Sequence, residues 1–219
     1  MIKGAIFDFD GTLFDSMFIW ENAGEMYLRA VGKEPAEDLK SALKPMSLRQ
    51  SAEYLKERYA LPLSAAEIMD GINRTVEEFY FHTVLPKPGA PELLAELSRR
   101  GVRMCIATAT DRYQAEAALE RCGLRRYFSE IFTCTEIGSG KDDPLIFRRA
   151  MEHLGTDRES TLIFEDAWHA ICTAKGDGFM VAAVYDPHED MQSSIRNIAD
   201  VYLTDFSDLN PLWKRIAEG

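Results

Sequence analysis

Asp8 and Asp10 stand two positions apart at the end of a short apolar run, with Gly11 and Thr12 directly behind them. One carboxylate so placed can act as a nucleophile. A second, two residues on, can protonate a leaving oxygen and then deprotonate an attacking water. Further along the chain Thr108 and Thr110, then Lys141, then Glu165 and Asp166 follow other short apolar runs. If these positions converge, several carboxylates, two or three hydroxyls and one ammonium share a crevice. Clustered carboxylates repel one another unless a cation lies between them. An all-oxygen donor set with room for water suits Mg²⁺. The same cation with a lysine and hydroxyl donors suits a phosphoryl group.

For convergence, each of these residues must sit just beyond the carboxyl end of a parallel strand. Lys3–Phe9 reads as a buried strand followed by a loop. After Pro86-Lys87-Pro88-Gly89 the pattern alternates helix and strand. Helices are expected over Pro91–Arg100, from Asp111 as a cap to Arg121, from Pro144 to Leu154, over Ala167–Lys175 and over Leu209–Ala217. Strands are expected over Val102–Thr108, Glu130–Cys134, Thr161–Glu165, Phe179–Tyr185 and Asp200–Leu203. Repeated strand–helix units imply an α/β fold, a doubly wound, mainly parallel sheet with right-handed crossovers. Such a sheet binds ligands beyond the carboxyl ends of its strands.

Between Asp15 and Phe81 no strand is expected. Met17, Trp20, Ala23, Tyr27 and Val31 recur at helical spacing before Gly32, and a weaker helix covers Ala36–Leu43. Ser47-Leu48-Arg49-Gln50 and Ser64-Ala65-Ala66-Glu67 read as capping boxes, each opening a helix. The expected organisation is therefore a catalytic core of residues 1–14 and 86–219, with an all-helical insertion over 15–85.

The chain has 219 residues and a formal charge of −11, with ordinary globular composition. An acidic surface disfavours nucleic-acid partners and anionic membranes, but leaves room for a small phosphorylated substrate. The first residues carry no long apolar segment and meet Asp8 early, which does not read as a signal peptide. Cys105, Cys122, Cys134 and Cys172 show no Cys-x-x-Cys or zinc spacing. Three of them lie in apolar or helical patterns and read as buried free thiols, and a cytoplasmic location is the expectation.

Taken singly, each candidate has an ordinary reading. Asp10 before Gly11 suits a turn, Thr12 and Asp166 suit helix caps, Thr108 suits a strand and Lys141 suits solvated surface. Together and in order they resemble the four motifs of the haloacid dehalogenase superfamily. Asp8-Phe9-Asp10-Gly11-Thr12-Leu13 is similar to the first, Thr108 to the second, Lys141 to the third, and Glu165-Asp166 after Leu162-Ile163-Phe164 to the fourth. The helical insertion resembles the cap of the phosphoglycolate phosphatase and β-phosphoglucomutase branch. The resemblance implies that Asp8 is the nucleophile and a Mg²⁺ ligand. It implies that Asp10 is the general acid/base and offers its backbone carbonyl to the metal. Thr108 and the amide of Ala109 would hold phosphate oxygens, Lys141 would offset negative charge there, and Asp166 with Glu165 would complete the metal site.

Three departures stand out. Lys141 is followed by Asp142-Asp143 rather than proline. Ala170 stands where relatives often carry glycine, and the bulky Trp168 and His169 precede it. These two either line the crevice, or Trp168 packs while His169 faces water. The resemblance also implies that the cap selects the substrate, with Trp20, Arg49, Lys44 and Gln50 as candidate contacts. The mutase relatives use a histidine where Trp20 stands, and no histidine precedes His82. Asp10 favours phosphoryl transfer over dehalogenation, because halide leaves without a proton. The expected activity is a Mg²⁺-dependent phosphatase acting on a small phosphorylated metabolite through an aspartyl-phosphate, as monomer or homodimer. The alternatives are a sugar-phosphate mutase and a non-catalytic phosphate-binding protein on the same scaffold.

Overall fold

The computed structural model describes every residue except Lys44, Pro45, Ser47 and Gly219. Its chain divides into two units, Ser16–Thr83 and the combination of Met1–Asp15 with Val84–Gly219.

The first unit is helical: α1 (Met17–Ala30), α2 (Leu39–Leu43), α3 (Leu48–Arg58) and α4 (Ala65–His82). The amphipathic spacing of α4 buries Ile68, Ile72, Val76 and Tyr80 on one face. Its first turn is closed by the expected capping box. The Glu67 amide donates to Ser64 Oγ at 3.2 Å, and the Ser64 amide donates to the Glu67 carboxylate at 2.8 Å. Helix α1 meets it through Tyr27. A Cβ on Gly71 would lie 2.3 Å from the Tyr27 ring, so glycine sets that close approach. The weaker helix is shorter than expected. The Ala36 amide donates to the Tyr59 hydroxyl at 2.9 Å, and Asp38 accepts from Arg58 at 2.6 Å, so side chains after and on α3 hold residues 36–38 outside the helix. The capping box at Ser47 and the break at Pro45 lie outside the described residues.

The second unit is a six-stranded parallel sheet. Its strands are β1 (Gly4–Phe7), β2 (Arg103–Thr108), β3 (Ile131–Thr133), β4 (Thr161–Glu165), β5 (Met180–Val184) and β6 (Val201–Leu203), in spatial order β3-β2-β1-β4-β5-β6. The helices are α5 (Ala90–Arg99), α6 (Arg112–Arg121), α7 (Cys134–Ile137), α8 (Leu145–Leu154), α9 (Trp168–Gly176), α10 (Gln192–Ile198) and α11 (Asn210–Glu218). Alternation along the strands feeds two cores. Ile6, Cys105, Ile163 and Val181 join Phe147, Ala150, Ile171 and Ala174 of α8 and α9. On the other face Phe7 stacks on Phe164 at 4.3 Å, with Phe128 and Phe206 edge-on to them.

Two short α-helices depart from the expected elements. Cys134 begins helix α7 rather than ending a strand, because the Thr133 hydroxyl accepts the Glu136 amide at 3.1 Å and caps a turn there. Helix α10 has one buried residue, Ile195, so its apolar periodicity is too weak to read. Asp111 precedes α6 as expected but makes no side-chain cap; its carboxylate accepts from Thr135 at 3.2 Å instead. All four cysteines are free; Cys105 is buried and Cys122, Cys134 and Cys172 are half-buried, which corrects the expectation of three buried thiols.

Glycine at 89 is required twice over. It adopts φ +79° at the start of α5, and a Cβ there would lie 2.2 Å from the Phe206 carbonyl oxygen. Gly123, at φ +69°, has open space around it. Gly123→Ala should therefore cost only the left-handed penalty of roughly 1–2 kcal/mol. Gly89→Ala should cost about 2 kcal/mol more, because backbone must move. Equal losses in urea unfolding would refute the close-approach argument.

Candidate active site

The strand order reverses at β1, whose neighbours are β2 on one side and β4 on the other. Register there is direct: Phe7 pairs with both Ile106 and Phe164. Asp8, one residue beyond β1, therefore lies level with Glu165, the last residue of β4. The Asp8 amide donates to the Phe164 carbonyl at 2.9 Å. The two-residue period also puts Asp8 on the face of Ile6, and Glu165 on the face of Ile163, which is the α8–α9 face for both.

Lys141 arrives on that face from the loop after α7. Its ammonium donates to Asp8 Oδ1 and, at 2.8 Å, to Glu165 Oε2, and lies 5.9 Å from the Phe147 ring centre. The solvated-surface reading of Lys141 is thereby replaced: the side chain is buried, as are Asp8, Glu165 and Asp166. Asp142 and Asp143 follow Lys141 in the chain. Both are exposed, and Asp143 accepts the Leu145 amide at 2.8 Å. Asp166 follows Glu165 and accepts from the Thr12 hydroxyl at 2.7 Å. Thr12 is thus not a helix cap; it ties the first loop to the fourth.

Thr108 ends β2 fully buried, and its Oγ1 accepts the Thr110 amide at 3.0 Å. Ala109 between them is exposed. Asp10, partly exposed, accepts from the Thr110 hydroxyl. A second buried ion pair lies at the end of β5, where Lys87 donates to Asp186 at 3.0 Å and to the Tyr185 carbonyl at 2.6 Å. Trp168 is half-buried against the core and its amide donates to Glu189 at 2.9 Å, while His169 is exposed. Trp20 and Arg49 belong to the helical unit. The Trp20 indole donates to the buried Tyr80 hydroxyl at 2.6 Å, and Arg49 is exposed on α3 beside Gln50. Lys44 lies outside the described residues.

The pairings Thr12–Asp166, Thr110–Asp10 and Lys87–Asp186 have no signature in the sequence. The hydroxyls were visible as residues past strand ends, but a partner about 100 or more positions away leaves no local signal.

The electrostatics are unbalanced. Burial, and then the Glu165 charge, push the Asp8 carboxyl well above its ordinary value even with Lys141 beside it. Burial and the charges of Glu165 and Asp8 do the same to Asp166, against the hydrogen bond from Thr12. Burial alone would weaken the Lys141 ammonium, but Asp8 and Glu165 together hold it above the ordinary lysine range. One ammonium thus faces three buried carboxylates. Ligand atoms of Asp8, Glu165 and Asp166 lie within 4.8 Å of one another. Hard oxygen donors with surplus negative charge fit a divalent cation of the Mg²⁺ type.

The pattern of the haloacid dehalogenase-like hydrolases matches residues 5–184. The chain belongs to that family. Among its relatives, a phosphorylated carbohydrates phosphatase of Thermotoga maritima is 25% identical over 177 residues, 81% of this chain and 82% of that protein. A probable pseudouridine-5'-phosphatase of Drosophila melanogaster is 28% identical, over 96% of this chain and 92% of that one. The crystal structure of CbbY from Rhodobacter sphaeroides in complex with phosphate superposes with a TM-score of 0.82 at 24% identity. It covers 96% of this chain and 97% of that one, a likeness of fold. The haloacid dehalogenase-like fold thus accounts for the sheet order. Among the described residues no helix is long and apolar enough to cross a membrane.

The charge imbalance makes a stability prediction. Asp166→Asn removes one buried like charge and keeps an acceptor for Thr12, so it should raise the melting temperature in chelator. A divalent cation should raise the melting temperature of the parent protein and leave the variant's nearly unchanged. A variant that melts lower in chelator, or gains as much from the cation, would contradict this account.

Proposed function

We propose that this protein is a Mg²⁺-dependent phosphatase that hydrolyses a small phosphorylated metabolite through an aspartyl-phosphate on Asp8. The observation that carries the reading is the buried Asp8–Lys141–Glu165 contact, with Asp166 tied in beside it. The relatives named as phosphatases support the same reaction class.

In this reading an Asp8 oxygen attacks phosphorus while the bond from phosphorus to the leaving oxygen breaks. Asp10 gives its proton to that oxygen, and the alcohol departs. Asp10, now a carboxylate, takes a proton from water, the water oxygen bonds to phosphorus, and the bond to Asp8 breaks to release phosphate. Lys141 keeps Asp8 oriented and offsets charge on the transferring group. Thr108 and the Ala109 amide hold phosphate oxygens. Asp8, Glu165, Asp166 and the Asp10 carbonyl would hold Mg²⁺, which supplies positive charge to the nucleophile and the phosphoryl oxygens when bound. The helical unit would act as the cap, with Trp20 and Arg49 as candidate specificity residues. The tie between Trp20 and Tyr80 suits a fixed wall rather than a proton carrier. A cytoplasmic monomer or homodimer, with neither nucleic acid nor membrane as partner, completes the proposal.

The test is phosphate release from a panel of small phosphoesters in Mg²⁺ and in EDTA. Release should require Mg²⁺ and fall at least ~10³-fold in Asp8→Asn. Release persisting in that variant would reject the mechanism. Isomer formation with little free phosphate would replace it with a mutase.

A further inference from the structure

We propose that Thr110 is the positioning residue for Asp10, setting where its carboxyl meets the leaving oxygen. This rests on the phosphatase reading of Asp8 and Asp10. Asp10 lies beyond the end of β1, where the sheet no longer fixes the chain. Gly11 turns the backbone there at φ +78°, and its amide donates to the Phe14 carbonyl at 2.9 Å. The Asp10 side chain is partly exposed. Proton delivery needs it within roughly 2.6–3.2 Å of the leaving oxygen in the reacting complex.

Thr110 supplies a fixed point. The residue is 3% exposed, its amide is held by Thr108 Oγ1 at 3.0 Å, and its hydroxyl donates to Asp10 Oδ2. A β-branched side chain has few rotamers, so a held backbone leaves the hydroxyl few positions, and it occupies the one that meets Asp10. The hydroxyl reaches across from the loop after β2 to the loop after β1. One short chain of bonds therefore links the end of β2, where phosphate would sit against Thr108, to the carboxyl that serves the leaving group. The donor is neutral, so it orients Asp10 without adding a cation to a site whose charge is set by Lys141 and three carboxylates. The bond goes to the Asp10 carboxyl, not to the Asp10 carbonyl proposed for the metal, and Thr110 stands apart from the Lys141–Asp8–Glu165 contacts and the Thr12–Asp166 bond.

A positioning role for the acid has a signature that general loosening lacks: it matters most when the leaving oxygen needs a proton. The experiment compares first-turnover phenol release, by rapid quench in Mg²⁺, from phenyl phosphate and from p-nitrophenyl phosphate, whose leaving group departs more readily unprotonated. Thr110→Val should slow the phenyl ester roughly 10–100-fold and the nitrophenyl ester less than about threefold, with KM little changed for either. Thr110→Ser, which keeps the hydroxyl, should recover most of the lost rate. Equal slowing of both esters, no slowing, or failure of Thr110→Ser to recover would overturn the proposal. If Thr110→Val does not fold by circular dichroism, Thr110→Ala takes its place. Asp10→Asn separates the two levels. If it lacks the leaving-group dependence, the acid role of Asp10 falls; if it shows the dependence and Thr110→Val does not, only the positioning role falls.

Discussion

Three carboxylates buried around one ammonium are the constraint from which the rest of the structure follows. Asp8, Glu165 and Asp166 would each prefer water, and Lys141 satisfies two of them directly. Such an arrangement costs stability unless surrounding structure enforces it. Its persistence needs the rigid ends of β1 and β4, the Thr12 bond to Asp166 and the apolar packing of Phe147 beneath Lys141. The surplus negative charge is also the chemical asset. On the proposed phosphatase reading, it would let the site gain from a divalent cation, and through it from a phosphoryl group.

The sheet does the enforcing. Because β1 and β4 pair in direct register, a one-residue slip of either strand would send Asp8 or Glu165 to the opposite face. That slip is resisted on both sides. Ile6 and Ile163 are locked into one core, and the stacked Phe7 and Phe164 into the other. Core aromatic packing and the alignment of carboxylates are therefore one property of the same two strands. The Lys87–Asp186 pair performs a similar service at β5, joining the segment that re-enters the sheet unit to a strand end about a hundred residues later.

Much of this was legible in the sequence because strong local signals coincide with the elements that matter. Apolar runs ending in acids marked β1 and β4, Gly32, Gly101, Gly123 and Gly155 marked helix ends, and Ser64 with Glu67 marked the start of α4. The family resemblance collected Asp8, Thr108, Lys141, Glu165 and Asp166, and the fold brings four of these into one buried cluster with Thr108 at the neighbouring strand end. What escaped was non-local or weakly patterned. Helix α10 buries too little to show a period, and α7 depends on a single cap at Thr133. The exchange of Asp111 from cap to Thr135 acceptor, and the hydroxyl ties of Thr12 and Thr110, depend on neighbours distant in the chain.

The division of the chain also sets an order of events during synthesis. Strand β1 emerges first, yet its partners begin at Arg103 and Thr161. The intervening Ser16–Thr83 has dense contacts of its own and can gain structure while β1 waits. The central strand, an apolar segment with unpaired edges, must therefore stay soluble until most of the chain has left the ribosome. Long-range parallel pairing of this kind is slow and exposed to aggregation. The brevity of β1, four residues followed at once by Asp8 and Asp10, limits that hazard. The acids proposed to serve the chemistry would thus guard the nascent strand against premature association.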